Sequence, residues 1–230
     1  MNSNPLKEKL QDYEAVIFDL DGTLINSLTD LAISVNYGLK LNRLEEKPVE
    51  NYKTYVGNGR EMLIRRAMGD AWTDHELFEK VKADYDRHYA VHCNDHTAAY
   101  DGCAEMLEKL AQKGIKTGVL SNKPDEFVDK MLKKAFPDHK FTQAWGQKPQ
   151  YKTKPEPDAL LALLNMSGVT PKECFYVGDS DVDVFTANNA GIKMAGVSWG
   201  FRGKNELMNA GAPFVADTAE ELFDYICKFI

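Results

Sequence analysis

The sequence predicts an α/β protein, a doubly wound parallel sheet flanked by helices, with a helical segment inserted after the first strand. Three observations carry this prediction. Short apolar runs without alternation stop at Asp, Ser or Gly, as strands buried on both faces do. After Asp101-Gly102 such runs alternate with amphipathic helical patterns, which implies a parallel sheet covered on both sides. Between the first run and the second the pattern is almost wholly helical.

In order along the chain, Ala15-Val16-Ile17-Phe18 is the first strand, ending at Asp19-Leu20-Asp21-Gly22-Thr23. Leu28, Leu31, Ala32, Val35 and Leu39 then recur at helical spacing, as do Met62, Leu63 and Ala67, and Leu77, Val81 and Tyr85. Residues 26–95 are therefore expected to form a helical domain, and residues 1–25 with 96–230 the α/β core. Ala104 to Lys113 is a helix ended by Gly114, with Lys113 at its negative end. Ile115 to Ser121 is the second core strand, and Pro124 suits the first turn of a helix reaching Ala135. Phe141 to Trp145 is a short strand and Pro157 to Met166 a helix closed by Ser167-Gly168. Cys174 to Gly178 is a strand, Val182 to Ala190 a helix, and Met194 to Trp199 and Phe214-Val215 the last strands before a helix from Ala219 to Phe229. Right-handed crossovers would bring the loops after these strands to one edge.

Composition narrows the function. Apolar residues make up 43% of the 230 and charged residues 27%, which excludes collagen-like and largely disordered chains. The net charge of −7 argues against a general nucleic-acid binder, which needs a basic face. No apolar run is long enough for a membrane helix. The first nine residues carry acidic and basic side chains where a signal peptide needs an apolar stretch, so a cytoplasmic protein is expected, a monomer or homodimer. Cys93, Cys103, Cys174 and Cys227 form no C-x-x-C pair and are expected as free thiols in a reducing compartment. His88, His92 and His96 stand four apart and could share a helix face, but no flanking ligand pattern marks a metal site.

The chemistry gathers at the strand ends. The first stops at Asp19, Asp21 and Thr23, the second at Ser121-Asn122, and a later one at Gly178-Asp179-Ser180-x-x-Asp183; Lys154 stands in Lys154-Pro155 just before a helix. Two carboxylates about 4 Å apart repel by about 4 kcal/mol at an effective dielectric near 20, so four cannot stay ionised together without cations. A hard dication with oxygen ligands relieves this, Mg²⁺ most commonly when substrate phosphate completes its shell. Lys154 adds fixed positive charge, and the backbone N–H groups of Gly22, Thr23 and Asn122 sit at turns or helix starts where phosphate oxygens can be held. Such a set suits phosphoryl transfer.

Asp19-Leu20-Asp21-Gly22-Thr23, Ser121-Asn122, Lys154-Pro155 and Gly178-Asp179-Ser180-x-x-Asp183 resemble, in order and spacing, the four motifs of the haloacid dehalogenase-like phosphohydrolases. The resemblance spans essentially the whole chain. Val56-Gly57-Asn58-Gly59 and Trp199-Gly200-Phe201-Arg202 add a finer resemblance to phosphoglycolate phosphatases. It implies Asp19 as the nucleophile that forms an aspartyl-phosphate, and Asp21 as the acid that protonates the leaving alcohol and then the base that activates water. Mg²⁺ would be held by the carboxylates of Asp19 and Asp179 and the backbone carbonyl of Asp21. Ser121 would bond the transferring phosphoryl, Lys154 would neutralise it, and Asp183 would order the metal shell or Lys154. Adjacent strand side chains oppose one another while i and i+2 share a side, which suits the Asp19–Asp21 spacing.

The insertion resembles the family's small helical (C1-type) cap, which closes over the site and selects the leaving group. Gly57-Asn58-Gly59-Arg60 is its most informative stretch: Gly59 and Arg60 open a helix whose N-terminus, expected to aim outward, suits the anionic end of a small substrate. The resulting expectation is a Mg²⁺-dependent phosphatase of a small phosphate ester, with 2-phosphoglycolate leading. A sugar phosphomutase or a pyrophosphatase of the same superfamily shares the core motifs. A receiver-type phospho-accepting module also clusters Asp, a hydroxyl and Lys, but is shorter and lacks both the insertion and the Asp-x-Asp-Gly-Thr strand end.

Overall fold

A computed structural model of the chain describes residues 13–230. The reading of the N-terminal residues lies outside the described residues. The core is a six-stranded, fully parallel sheet in the order β5-β4-β1-β6-β7-β8. Its strands are β1 (Ala15–Phe18), β4 (Lys116–Pro124), β5 (Gln143–Gln147), β6 (Cys174–Gly178), β7 (Lys193–Val197) and β8 (Val215–Ala216). The chain starts at the centre, builds outward through β4 and β5, then returns to β6 and builds the other way. That reversal opens a crevice beyond the C-terminal end of β1, between β4 and β6.

β1 shows why its apolar run does not alternate. Val16 and Phe18 pack into one hydrophobic core, Ala15 and Ile17 into the other, on opposite faces of the sheet. The first core also takes in α5 (Cys103–Gln112), α6 (Asp125–Ala135) and α10 (Ala219–Ile226); the second takes in α7 (Asp158–Met166), α8 (Asp181–Ala190) and α9 (Lys204–Ala210). The short helix α9 is absent from the sequence-based reading: seven residues offer too few turns for a periodic signal. Pro124 ends β4 and caps α6, which starts at Asp125, rather than standing inside its first turn.

Between β1 and β4 lie α1 (Leu28–Leu41), α2 (Tyr52–Tyr55), α3 (Arg60–Met68) and α4 (His75–His92). Leu31, Ala32, Val35 and Leu39 of α1 are buried with Phe78, Val81 and Tyr85 of α4 in the same core as β1. The segment leaves and re-enters through a two-stranded antiparallel stem, β2 (Ile25–Asn26) with β3 (Ala98–Ala99). Buried Asp30 fastens this stem, accepting from the backbone N–H groups of His96 and Thr97 and from the Thr97 hydroxyl. The three spaced histidines do not share a helix face, because α4 ends at His92. His88 Nδ1 lies 2.9 Å from Ser34 Oγ, and His92 Nδ1 2.7 Å from Asp95. The four cysteines are unbridged. Among the described residues no helix is long and apolar enough to cross a membrane.

Candidate active site

The crevice beyond β1 holds a cavity lined by Asp19, Asp21, Ser121, Asn122, Lys123, Lys154, Asp179 and Ser180 from the core, and by Val56, Gly57, Gly59, Arg60, Leu63 and Tyr85 from the helical insertion. Asp19 and Asp21 stand just past the last residue of β1, so the i, i+2 rule for strands does not itself align them. Two anchors do. The Asp19 backbone N–H donates to Val177 O (2.8 Å), and Asp21 bridges to Ile25 in the tight turn that follows.

Lys154 organises one side of the cavity. Its buried ammonium reaches Asp19 Oδ1 (2.7 Å), Asp183 Oδ1 (2.7 Å) and the Tyr176 hydroxyl (3.1 Å), which engages all three of its donors. Asp183, with a fully buried side chain, is also a capping-box residue of α8: its Oδ2 accepts from Ser180 N (3.1 Å) and Ser180 Oγ (2.7 Å), while Tyr176 OH donates to Oδ1 (3.1 Å). Gly178 allows this approach, since a Cβ there would collide with the Asp183 carboxylate. Both Asp183 oxygens are thus committed to orienting neighbours. Tyr176 was not singled out from sequence: in an apolar run it reads as one more core aromatic.

Asp19, Asp179 and Asp183 can bring carboxylate oxygens within 4.8 Å of one another. Burial pushes the Asp19 carboxyl up to about 7, with Lys154 pulling it down and Asp183 and Asp21 pushing it further up. Burial likewise raises Asp179 well above the usual carboxylate range, reinforced by Asp183 and Asp19 and opposed by the Phe201 N–H and Lys154. Burial alone would lower Lys154, but Asp183 and Asp19 outweigh it and hold the lysine well above its ordinary value. This is a hard-oxygen donor set of three carboxylates against one ammonium, Lys154, which fits a divalent cation. Asp179 is held in place by the Phe201 N–H (2.7 Å), and Gly22, at φ +91°, leaves room for it where any side chain would clash.

Gly22 and Thr23 do not supply the phosphate clamp expected of them. The Gly22 N–H donates to Ile25 O (2.9 Å) and the Thr23 N–H to Leu20 O (3.3 Å), and neither residue lines the cavity. Their turn bonds are what hold Asp21 in position. Asn122 does line the cavity, but its side chain acts as a strut. Its Nδ2 donates to Gly57 O and Lys154 O (3.0 Å each), and its Oδ1 accepts from the Lys154 N–H (2.9 Å). Ser121 Oγ accepts from the Lys123 N–H (3.2 Å) and keeps its own proton to donate.

One correction concerns the insertion. The N-terminus of α3 faces the core rather than outward: a Cβ on its N-cap Gly59 would lie 2.6 Å from Gln147 Nε2 and 3.4 Å from Asn122 O. Arg60 lines the cavity with its guanidinium paired to Asp86 (2.9 Å).

Sequence reasoning missed Lys123. Its side chain is 3% exposed; the ammonium lies 3.0 Å from Asp21 Oδ1 and donates to Tyr89 OH of α4 (2.8 Å). Strand alternation gave no signal for it: β4 is irregular between Leu120 and Pro124, and Ser121, Asn122 and Lys123 all line the cavity. Burial raises the Tyr89 hydroxyl well above its ordinary pKa, so it accepts from Lys123 as a neutral group. Ser27, where the insertion begins, donates to Asp21 Oδ1 as well. Arg202 also escaped notice as a tie: its Nη2 donates to Thr54 O (3.2 Å) and Val56 O (2.9 Å), joining the loop after β7 to the insertion.

Comparison with known proteins agrees with this geometry. The family model for haloacid dehalogenase-like hydrolases matches residues 16–197. A phosphoglycolate phosphatase of Mannheimia succiniciproducens is 35% identical over 196 residues, covering 82% of this chain and 87% of that protein. One from Pasteurella multocida is 31% identical over 229 residues, covering 96% and 98%. A crystal structure from Lactobacillus delbrueckii subsp. bulgaricus, of a protein inferred to be a phosphoglycolate phosphatase, superposes with TM-score 0.88 at 32% identity, covering 94% of this chain and 98% of that one.

Proposed function

The chain belongs to the haloacid dehalogenase-like hydrolases and is a phosphatase, and from that premise we propose that it hydrolyses 2-phosphoglycolate with Mg²⁺ through an aspartyl-phosphate on Asp19. The observation that carries the reading is the meeting of Asp19, Asp21, Ser121, Lys154 and Asp179 in one cavity roofed by the insertion.

The ion would be held by the carboxylates of Asp19 and Asp179 and the backbone carbonyl of Asp21, and would supply charge neutralisation for Asp19 and the phosphoryl oxygens. Lys154 holds Asp19 Oδ1, which leaves Oδ2 to attack phosphorus. As the Asp19 Oδ2–P bond forms, the bond from phosphorus to the ester oxygen breaks, and Asp21 passes its proton to that oxygen so that glycolate leaves with a hydroxyl and not an alkoxide. Ser121 donates to a phosphoryl oxygen and Lys154 balances its charge. Asp21 then takes a proton from water as the water oxygen attacks phosphorus; phosphate leaves and Asp19 is restored. Residues 26–95 serve as a cap that excludes bulk water and favours a small leaving group. The free thiols suit a reducing, cytoplasmic compartment.

The test is phosphate release from a panel of metabolite phosphates. 2-Phosphoglycolate is expected to give the highest kcat/KM, with at least 90% (about tenfold, ~1.4 kcal/mol) of the rate lost in EDTA and recovered with Mg²⁺. Retention of full turnover in EDTA would remove the metal from the mechanism, and a different best substrate would remove phosphoglycolate.

A further inference from the structure

We propose that Lys123 is the residue that recognises the leaving group, and that it selects alcohols carrying a carboxylate on the carbon next to the ester oxygen. This rests on the phosphatase reading above and deepens it.

The argument starts from donors. An ammonium has three N–H groups. Those of Lys154 are all engaged by Asp19, Asp183 and Tyr176. Lys123 has two partners, Asp21 at 3.0 Å and Tyr89 OH at 2.8 Å; among the described residues its third N–H has no protein acceptor. The side chain is nevertheless buried and lines the cavity. A buried cation that lines a cavity and has a donor to spare is suited to hold an anion there.

Position decides which anion. Asp21 must come within about 2.6–3.2 Å of the ester oxygen to protonate it. In a two-carbon hydroxy acid the carboxylate oxygens lie roughly 3 Å from that same oxygen, given ordinary bond lengths and angles. A cation 3.0 Å from Asp21 Oδ1 therefore stands beside the point where that carboxylate falls. The other cations lining the cavity are placed differently: Arg60 pairs with Asp86, while Arg202 bonds Thr54 O and Val56 O and lies 3.6 Å from Glu206, and neither bonds Asp21. Leu31, Val56 and Leu63 give the same cavity an apolar stretch of wall, which suits a small leaving group. Tyr89 aims it, since the hydroxyl accepts from Lys123 and lies 3.9 Å from Met131 Sδ.

The experiment compares 2-phosphoglycolate with ethyl phosphate, the same two-carbon ester without the carboxylate, on the purified full chain with Mg²⁺. The readout is the ratio of their kcat/KM values. Lys123→Met is expected to lower this ratio roughly 30-fold or more, mainly through KM for phosphoglycolate, and Lys123→Arg to restore much of it. Tyr89→Phe, which keeps the ring and the packing, is expected to lower the ratio by about three- to tenfold; it carries the test if Lys123→Met does not fold. A ratio unchanged within about threefold in the Lys123 variant, or in Tyr89→Phe should that variant alone fold, with both substrates slowed together, overturns the inference and leaves Lys123 as a brace for Asp21. Wild-type protein that prefers ethyl phosphate brings down the phosphoglycolate reading, and this inference with it. The two failures are thus told apart by the wild-type ratio.

Discussion

The two walls of the cavity are held in different ways. On the core wall each group has several partners: Lys154 binds two carboxylates and a phenol, Asp183 accepts from four donors, and Asp179 sits against Gly22 under the Phe201 N–H. Around the cavity the insertion wall meets the core through fewer polar ties, Asn122 to Gly57 O, Arg202 to Thr54 O and Val56 O, and Lys123 to Tyr89 OH, while α1 and α4 pack behind it in the core shared with β1. In the proposed mechanism the core groups meet the phosphoryl, and buried networks fix such groups before substrate arrives. In the proposed mechanism the insertion wall admits substrate and releases product, and its polar ties around the cavity are the ones that exchange.

The sharpest way to break this comparison is at Asp19. Asp19→Asn is expected to lower kcat on the order of 10⁴-fold or more while far-UV circular dichroism stays native. Near-full activity in that variant would remove the core wall from the chemistry.

A second test uses pH. Asp19 is raised to about 7 and Asp179 is also raised, each chiefly by burial, so the folded state holds protons that the unfolded state releases from about pH 4. Without metal, stability should therefore fall as pH rises from about 4 through about 7. Mg²⁺ offsets the ionised carboxylates, so the rise in Tm on adding it should be several degrees larger at pH 8 than at pH 5.5. Equal metal-induced shifts at the two pH values would mean that the buried carboxylates are not the ion's ligands.

The smallest effect is expected on the insertion wall. Arg202→Ala removes the bonds to Thr54 O and Val56 O and should raise KM by about three- to tenfold with kcat changed less, because the core network is untouched. A collapse of kcat as large as that of Asp19→Asn would show the two walls to be one rigid unit.

Much of the core wall was legible along the chain because its side chains follow strand ends, where an abrupt change from apolar to charged residues marks the sheet edge. Asp19, Ser121 and Asp179 each end such a run, and the topology carries them together. What could not be read were partnerships. Gly22 and Thr23 looked like phosphate donors, but their N–H groups close the turn at Asp21. Asn122 looked like a donor to substrate and is a strut between Lys154 and the insertion. Lys123, Tyr89 and Tyr176 carried no motif at all, since a lysine or tyrosine on a strand or helix has the same local signature whether its head meets water or a buried carboxylate.

Local pattern alone thus determined the order of the six core strands and the longer core helices, the helical character of the insertion and the charged residues at the sheet edge, because periodicity and abrupt polarity changes are properties of neighbours in sequence. Tertiary structure decided which of those charges pair and which way α3 points. It also decided that a lysine from β4 meets a tyrosine from α4, 34 positions earlier in the chain. Pairing energies depend on distance and burial, and both are set only when the sheet brings remote segments within a few ångströms.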